Sequence, residues 1–285
     1  MNVAVLGVGD AGREMARLCA RGGSEVSIHA GDPSAAMDAI DTIERHLERA
    51  DVRGVALDAT TGLAAAVSDA DLVVETTIDD AEQLGRRFAE LEPLVDRETL
   101  VATSRGSLSV TTAARAPASP CRSPGLRPHP EGTDVVELVA TEATTESTRD
   151  RAASFVEGLG ATPLFVGDTP GPVSGRLAVA LEVEAMRLLE ASAAGVETVD
   201  ELLVTGYDHA VGPLERADRV GLDRRPAPPQ YLASDVGDRS HPHAVLVERV
   251  PVRHTVRHAR DVFSTGPRHQ PTPPAVHSPR LAQTT

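Results

Sequence analysis

Lysine and tryptophan are both absent from this 285-residue sequence, and aromatic residues make up only 2% of it. All 28 basic residues are therefore arginines, set against 42 acidic ones, for a net charge of -14. Like charge repels, so nucleic acid and anionic membrane surfaces are excluded as general partners. The two cysteines, Cys19 and Cys121, are too few for a disulfide framework, and neither sits in a catalytic pattern. No apolar run approaches the length of a membrane span, and no signal peptide precedes the first apolar stretch at Asn2, so a soluble cytoplasmic protein is expected. The charge is uneven: from Asp223 onward nine arginines face five acids, and the acidic excess lies entirely before that point. An acidic, lysine-free composition fits a cytoplasm of high salt, a halophilic setting; it fits equally a genome whose base composition favours Arg and Ala codons.

The most informative stretch is Val3 to Gly12. Val3, Ala4, Val5 and Leu6 are apolar without interruption, as expected for a strand buried on both faces of a parallel sheet. Gly7, Gly9 and Gly12 follow in the G-x-G-x-x-G spacing. The first allows a tight turn, the second a close approach of backbone to a pyrophosphate, and the third close packing of helix on strand. A helix over residues 13–21, with Met15, Ala16, Leu18 and Cys19 apolar, then aims its free N–H groups and positive dipole end at the phosphates. A second strand at Glu25–His29 completes the unit, and a dinucleotide becomes the expected ligand.

Further along, helices are expected over 35–50, 63–67, 79–94 and 146–159, and strands over 71–75, 99–102, 135–139 and 163–166. Residues 117–130 are rich in proline and read as irregular. At Gly167 the character changes, because one long helical pattern over 173–194 and shorter ones over 199–205, 214–220 and 229–236 follow without strands. Strands alternating with helices, then helices alone, mark two domains. The fold class is thus α/β, a Rossmann doubly wound parallel sheet over residues 1–167, followed by a smaller all-α domain over 168–265. Residues 266–285 lack apolar periodicity and read as a disordered tail.

The sequence resembles the NAD-dependent 3-hydroxyacyl-CoA dehydrogenases over nearly its whole length. The resemblance rests on Gly7-Val-Gly-Asp-Ala-Gly12, Asp71-Leu-Val-Val-Glu75, Ser107-Leu-Ser-Val-Thr111, Gly125-Leu126 with Val136-Glu137, and Pro170-Gly171 before Arg176-Leu177. Gly212-Pro213-Leu214, running through Asp218 to Gly221-Leu222-Asp223, is its most specific part. It implies oxidation of an L-3-hydroxyacyl-CoA to the 3-oxoacyl-CoA with NAD, in a homodimer formed by the helical domain. The acyl-CoA is expected in the cleft between the two domains.

Site residues follow from the same resemblance. Gly7, Gly9, Asp10, Ala11 and Gly12 would hold the pyrophosphate, Asp32 the adenosine ribose, and Asp79 matches an acidic position near the cofactor. His129 is the candidate base for the alcohol proton and Glu137 the glutamate that orients it. Counted from Gly125, however, the family's base position holds Arg127, with His129 two residues later. The family's Asn-Thr-Ser becomes Ser104-Arg105-Gly106, so Ser104 is the remaining hydroxyl for substrate. A cofactor-binding Lys becomes Leu84, an Asn becomes Gly175, and Ala30 stands where the ribose-binding acid usually ends the second strand. These substitutions support the alternative of a dinucleotide-binding family member without turnover, acting as a binding or assembly subunit. A reductase of the free 3-hydroxy acid is a third reading. The pairs His241/His243 and His254/His258 have neither a Cys nor a well-spaced carboxylate beside them, so no metal is expected.

Overall fold

The computed structural model describes residues 1–106, 108–113, 124–129, 134–169 and 171–220. The described chain forms two compact units, Met1–Leu181 and a helical part that opens at Glu182. Within the first, strands and helices alternate: β1 (Asn2–Leu6), α1 (Asp10–Arg21), β2 (Glu25–His29), α2 (Pro33–Arg49), β3 (Leu57–Thr60), α3 (Leu63–Val67), β4 (Leu72–Glu75), α4 (Ala81–Leu91), β5 (Leu100–Thr103), α5 (Val110–Ala113), β6 (Gly125–Pro128), β7 (Val135–Val139), α6 (Glu146–Gly158) and β8 (Thr162–Val166). A long helix, α7 (Val173–Glu190), then leads to α8 (Val196–Tyr207) and α9 (Pro213–Val220).

The strands form one sheet in the order β3-β2-β1-β4-β5-β6-β7-β8. Neighbours run parallel except β6 and β7, which are antiparallel. The order reverses between β1 and β4, so a crevice opens at their carboxyl ends, where open α/β sheets bind ligands. Uninterrupted apolar strands are explained by burial on both faces. Val3, Val5, Leu72, Val74, Leu100 and Ala102 pack into the core that includes residues of α1, α2 and α6. Ala4, Leu6, Val73 and Val101 point the other way, into a core with Leu84, Phe88 and Leu91 of α4. A period of two along each strand thus fills both layers.

The doubly wound α/β sheet is the expected one, and several boundaries move. Helix α1 begins at Asp10 and α2 at Pro33, while the helix expected over 79–94 runs from Ala81 to Leu91 and ends in a 3-10 turn, Glu92–Leu94. The proline-rich stretch expected to be irregular contains β6, since Gly125 to Pro128 pair with Val139 to Val136. β3 was not expected either. The helix expected around 229–236, the tail beyond 266, Cys121 and the four histidines at 241, 243, 254 and 258 lie outside the described residues.

The helical unit has its own core of Ala185, Leu189, Val199 and Leu214. Arg216 donates to the buried Glu182 at 2.6 Å. Asp200 accepts the Leu214 and Glu215 N–H groups at 2.8 and 3.1 Å, and so caps α9 from a neighbouring helix. That close approach explains the glycine of the Gly212-Pro213-Leu214 motif: a Cβ on Gly212 would stand 2.3 Å from Asp200 Cβ.

Candidate active site

The glycine turn is shaped by its neighbours. Gly7 has φ +117, a region open to glycine and strained for other residues, and its N–H donates to His29 O at 2.9 Å. A Cβ on Gly12 would stand 2.2 Å from Gly7 O, so α1 can lie this close to β1 only with glycine there. Thr76 at the end of β4 donates its hydroxyl to Leu6 O at 2.8 Å and closes the other side. Gly9 is the N-cap of α1 and supplies no side-chain cap, and nothing lies within 4 Å of the place its Cβ would occupy. Asp10 is held by Arg13, which also donates to Val8 O. The result is an uncapped helix N-terminus beneath open space, which fits the pyrophosphate of a dinucleotide.

Beside this turn lies a cavity of about 500 Å³, lined by Asp10, Ala11 and Arg13 of α1, His46 of α2, Ser104 after β5 and Pro128 at the end of β6. Ser104 donates its N–H to Glu75 O at 3.1 Å, and its buried hydroxyl has no partner among the described residues. Glu75 itself is fully buried, its carboxylate accepting the Thr77 N–H and hydroxyl at 2.7 and 2.6 Å, with Arg87 3.7 Å away. The sequence pattern ended a strand at Glu75 without revealing this buried charge.

Asp32 lies elsewhere in its local chemistry: it is the N-cap of α2, accepting the Ala35 N–H at 2.8 Å. Ala30 is buried. Asp79 is held by Arg105, which donates from Nε at 2.7 Å and from a second guanidinium nitrogen to the same oxygen. His129 N–H donates to Val135 O at 3.0 Å, and its buried Nδ1 has no partner among the described residues. Glu137 accepts the Val173 and Ser174 N–H groups, at 2.9 and 2.7 Å, at the first turn of α7. No hydrogen bond joins His129 to Glu137 among the described residues. Directly across the ladder from Glu137 is Arg127, buried, with its guanidinium donating to Leu108 O at 3.0 Å.

Comparison with known proteins places the chain. The family model for the 3-hydroxyacyl-CoA dehydrogenase NAD binding domain matches residues 2–169, and the model for the C-terminal domain of the same enzymes matches 171–265. The chain belongs to the 3-hydroxyacyl-CoA dehydrogenase family. It is 33% identical over 236 residues to the 3-hydroxybutyryl-CoA dehydrogenase of Mycobacterium tuberculosis, covering 78% of this chain and 82% of that one. A 3-hydroxybutyryl-CoA dehydrogenase of Bradyrhizobium diazoefficiens is 29% identical over 262 residues, covering 87% and 89%. The crystal structure of M. tuberculosis FadB2 superposes with a TM-score of 0.76 at 30% identity, over 86% of this chain and 92% of that one.

Within this 3-hydroxyacyl-CoA dehydrogenase framework, the sequence departures acquire physical reasons. Leu84 is fully buried in the core under α4, where a lysine would carry a charge out of water. Gly106 faces the Pro172 ring, and a Cβ there would stand 2.6 Å from Pro172 Cδ, so the serine that the resemblance leads one to expect has no room. Gly175 meets Pro172 only at 3.7 Å, and nothing in the structure explains its glycine. The strand register places Arg127 opposite Glu137.

Proposed function

We propose that this protein is an NAD-dependent oxidoreductase that oxidises L-3-hydroxyacyl-CoA to 3-oxoacyl-CoA, the reaction type of fatty acid β-oxidation. The observation that carries the reading is the uncapped α1 N-terminus under the Gly7, Gly9, Gly12 turn, in a chain that belongs to this family along both of its parts. NAD supplies the hydride acceptor when bound. Gly7, Gly9, Asp10, Ala11 and Gly12 receive the pyrophosphate through backbone N–H groups and the helix dipole. Asp32 at the end of the β2 loop serves the adenosine ribose, and Asp79 serves the nicotinamide half.

Ser104 offers its unpartnered hydroxyl to the substrate oxygen. His129 accepts the alcohol proton, because its imidazole retains a nitrogen that no described residue occupies. Glu137 is a positioning residue in this reading: it anchors β7 to the start of α7, and β7 in turn holds the His129 backbone through Val135 O.

The protein works in the cytoplasm as a homodimer. Its acidic, lysine-free composition suits high salt. The helical domain, residues 168–265, supplies the dimer surface, and Leu202 and Tyr207 of α8 are exposed apolar groups available for it. The NAD-binding domain spans residues 1–167. No described helix is long and apolar enough to cross a membrane.

A specific observation favours a second reading, a cofactor-binding member without turnover. Arg127 faces Glu137 across the ladder, and a guanidinium stays protonated and cannot act as a base. The two readings separate in one experiment: NADH formation from 3-hydroxybutyryl-CoA and longer 3-hydroxyacyl-CoA at low and high salt, beside NADH binding. Turnover abolished by His129→Gln supports the dehydrogenase, whereas tight NADH binding without turnover under both conditions supports the binding subunit.

A further inference from the structure

Strands β4 and β5 end side by side, with Glu75 in register with Thr103, and the loops that leave them carry opposite charges. Asp79 follows β4 and Arg105 follows β5. Two guanidinium nitrogens of Arg105 converge on one Asp79 oxygen, Nε at 2.7 Å, while the side chains stay 30% and 60% exposed, respectively. The arginine is fixed from behind as well, since its own N–H donates to Thr103 Oγ1 at 3.1 Å. Leu84, buried in α4, is uncharged, and Arg105 is a positive group paired with Asp79.

In a sheet of this strand order the dinucleotide lies across the switch point, one mononucleotide half over β1 to β3 and the other over β4 and β5. A dinucleotide bound in this way would bring its nicotinamide half toward the loops that carry the ion pair. The oxidised and reduced rings differ by one positive charge, which makes a charge on those loops a discriminator between them.

We propose that Arg105, by neutralising Asp79, sets the relative affinity of the site for NAD⁺ and NADH. The inference rests on the NAD reading given above. The Asp79 carboxylate without its Arg105 counter-charge favours the cationic ring, and the Arg105 guanidinium without Asp79 disfavours it. The intact pair holds the balance between the two.

The test is titration calorimetry of the full chain with NAD⁺ and with NADH, for the wild type, Arg105→Gln, Asp79→Asn and the double variant. A unit charge near the surface corresponds to about a five-fold change in the ratio of the two dissociation constants. Arg105→Gln should shift that ratio about five-fold toward NAD⁺ and Asp79→Asn about five-fold toward NADH, with the double variant near the wild type. Raising the salt to ~1 M, where the screening length falls to roughly 3 Å, should shrink both shifts. A ratio unchanged in both single variants, or equal weakening of both cofactor forms, overturns the proposal while leaving the NAD site standing. A wild-type chain that binds neither form overturns the NAD reading itself.

Discussion

Replacing Glu137 by glutamine separates its place in the framework from any role in orienting a base. In the structure the residue is 3% exposed, and its carboxylate accepts two N–H groups, Val173 at 2.9 Å and Ser174 at 2.7 Å, at the start of the 18-residue α7. Charge-assisted bonds of this kind contribute about 1.5–3 kcal/mol each before the cost of burying the carboxylate, and the helix dipole adds roughly 0.5–1 kcal/mol. An amide keeps one acceptor oxygen and turns an NH₂ toward the second N–H. The net loss is therefore about 1–2 kcal/mol for Glu137→Gln. It rises to about 2–3 kcal/mol for Glu137→Ala, which leaves both donors to partial solvation. In a domain of this size a loss of 1–2 kcal/mol lowers the thermal midpoint by roughly 3–6 °C. Thermal unfolding followed by far-UV circular dichroism reads this directly. A Glu137→Gln variant that melts with the wild type yet loses turnover would refute the reasoning, because it would show a carboxylate spent on a base rather than on α7.

Other consequences are equally concrete. Gly212→Ala drives a Cβ to 2.3 Å from Asp200 Cβ and should cost about 3 kcal/mol, from lost capping of α9 and overpacking, seen as easier urea unfolding of the helical part; an unchanged midpoint contradicts the cap. Burial by itself pushes the Asp168 carboxyl up, but hydrogen bonds from Thr111, Ser109 and Val110 together outweigh it and hold the group below the usual carboxylate range. Its stabilising contribution is thus fully present above the unfolded value near pH ~4 and is lost as pH falls through the depressed folded value. Asp168→Asn should accordingly be less stable than the wild type at neutral pH, with the gap closing in acid. Burial pushes the Cys19 thiol up to about 12, so in a Cys121→Ser background the native protein should resist iodoacetamide at pH ~8 and react once unfolded; rapid labelling of the folded protein would contradict a core position.

What could be read from the residues alone was what burial and backbone geometry impose locally. Val3 to Leu6 had to lie in a two-sided sheet, and the three glycines had to turn the chain into α1, because no side chain fits between Gly12 and Gly7 O. β6 escaped because Gly125 and Pro128 are poor strand formers, and it exists through pairing with β7, a long-range fact. β3 escaped because Leu57 to Thr60 form a half-buried edge strand with no continuous apolar run. Asp32-Pro33 did carry a local signal, an N-cap followed by proline at the first helical position, which placed the start of α2 two residues earlier than the apolar pattern did. The site was legible only as a set of positions. Which groups face one another, Arg127 with Glu137 and Arg105 with Asp79, depends on strand register and on loops meeting at the sheet edge.

The central claim is that the turn at Gly7 to Gly12 cradles a nicotinamide dinucleotide, and titration of the whole chain with NADH, monitored by its fluorescence, tests it most directly. Saturable binding of one NADH per chain, displaced by NAD⁺ and lost in Gly12→Ala, is the predicted result. No binding by the wild type, or binding that Gly12→Ala leaves intact, would contradict it.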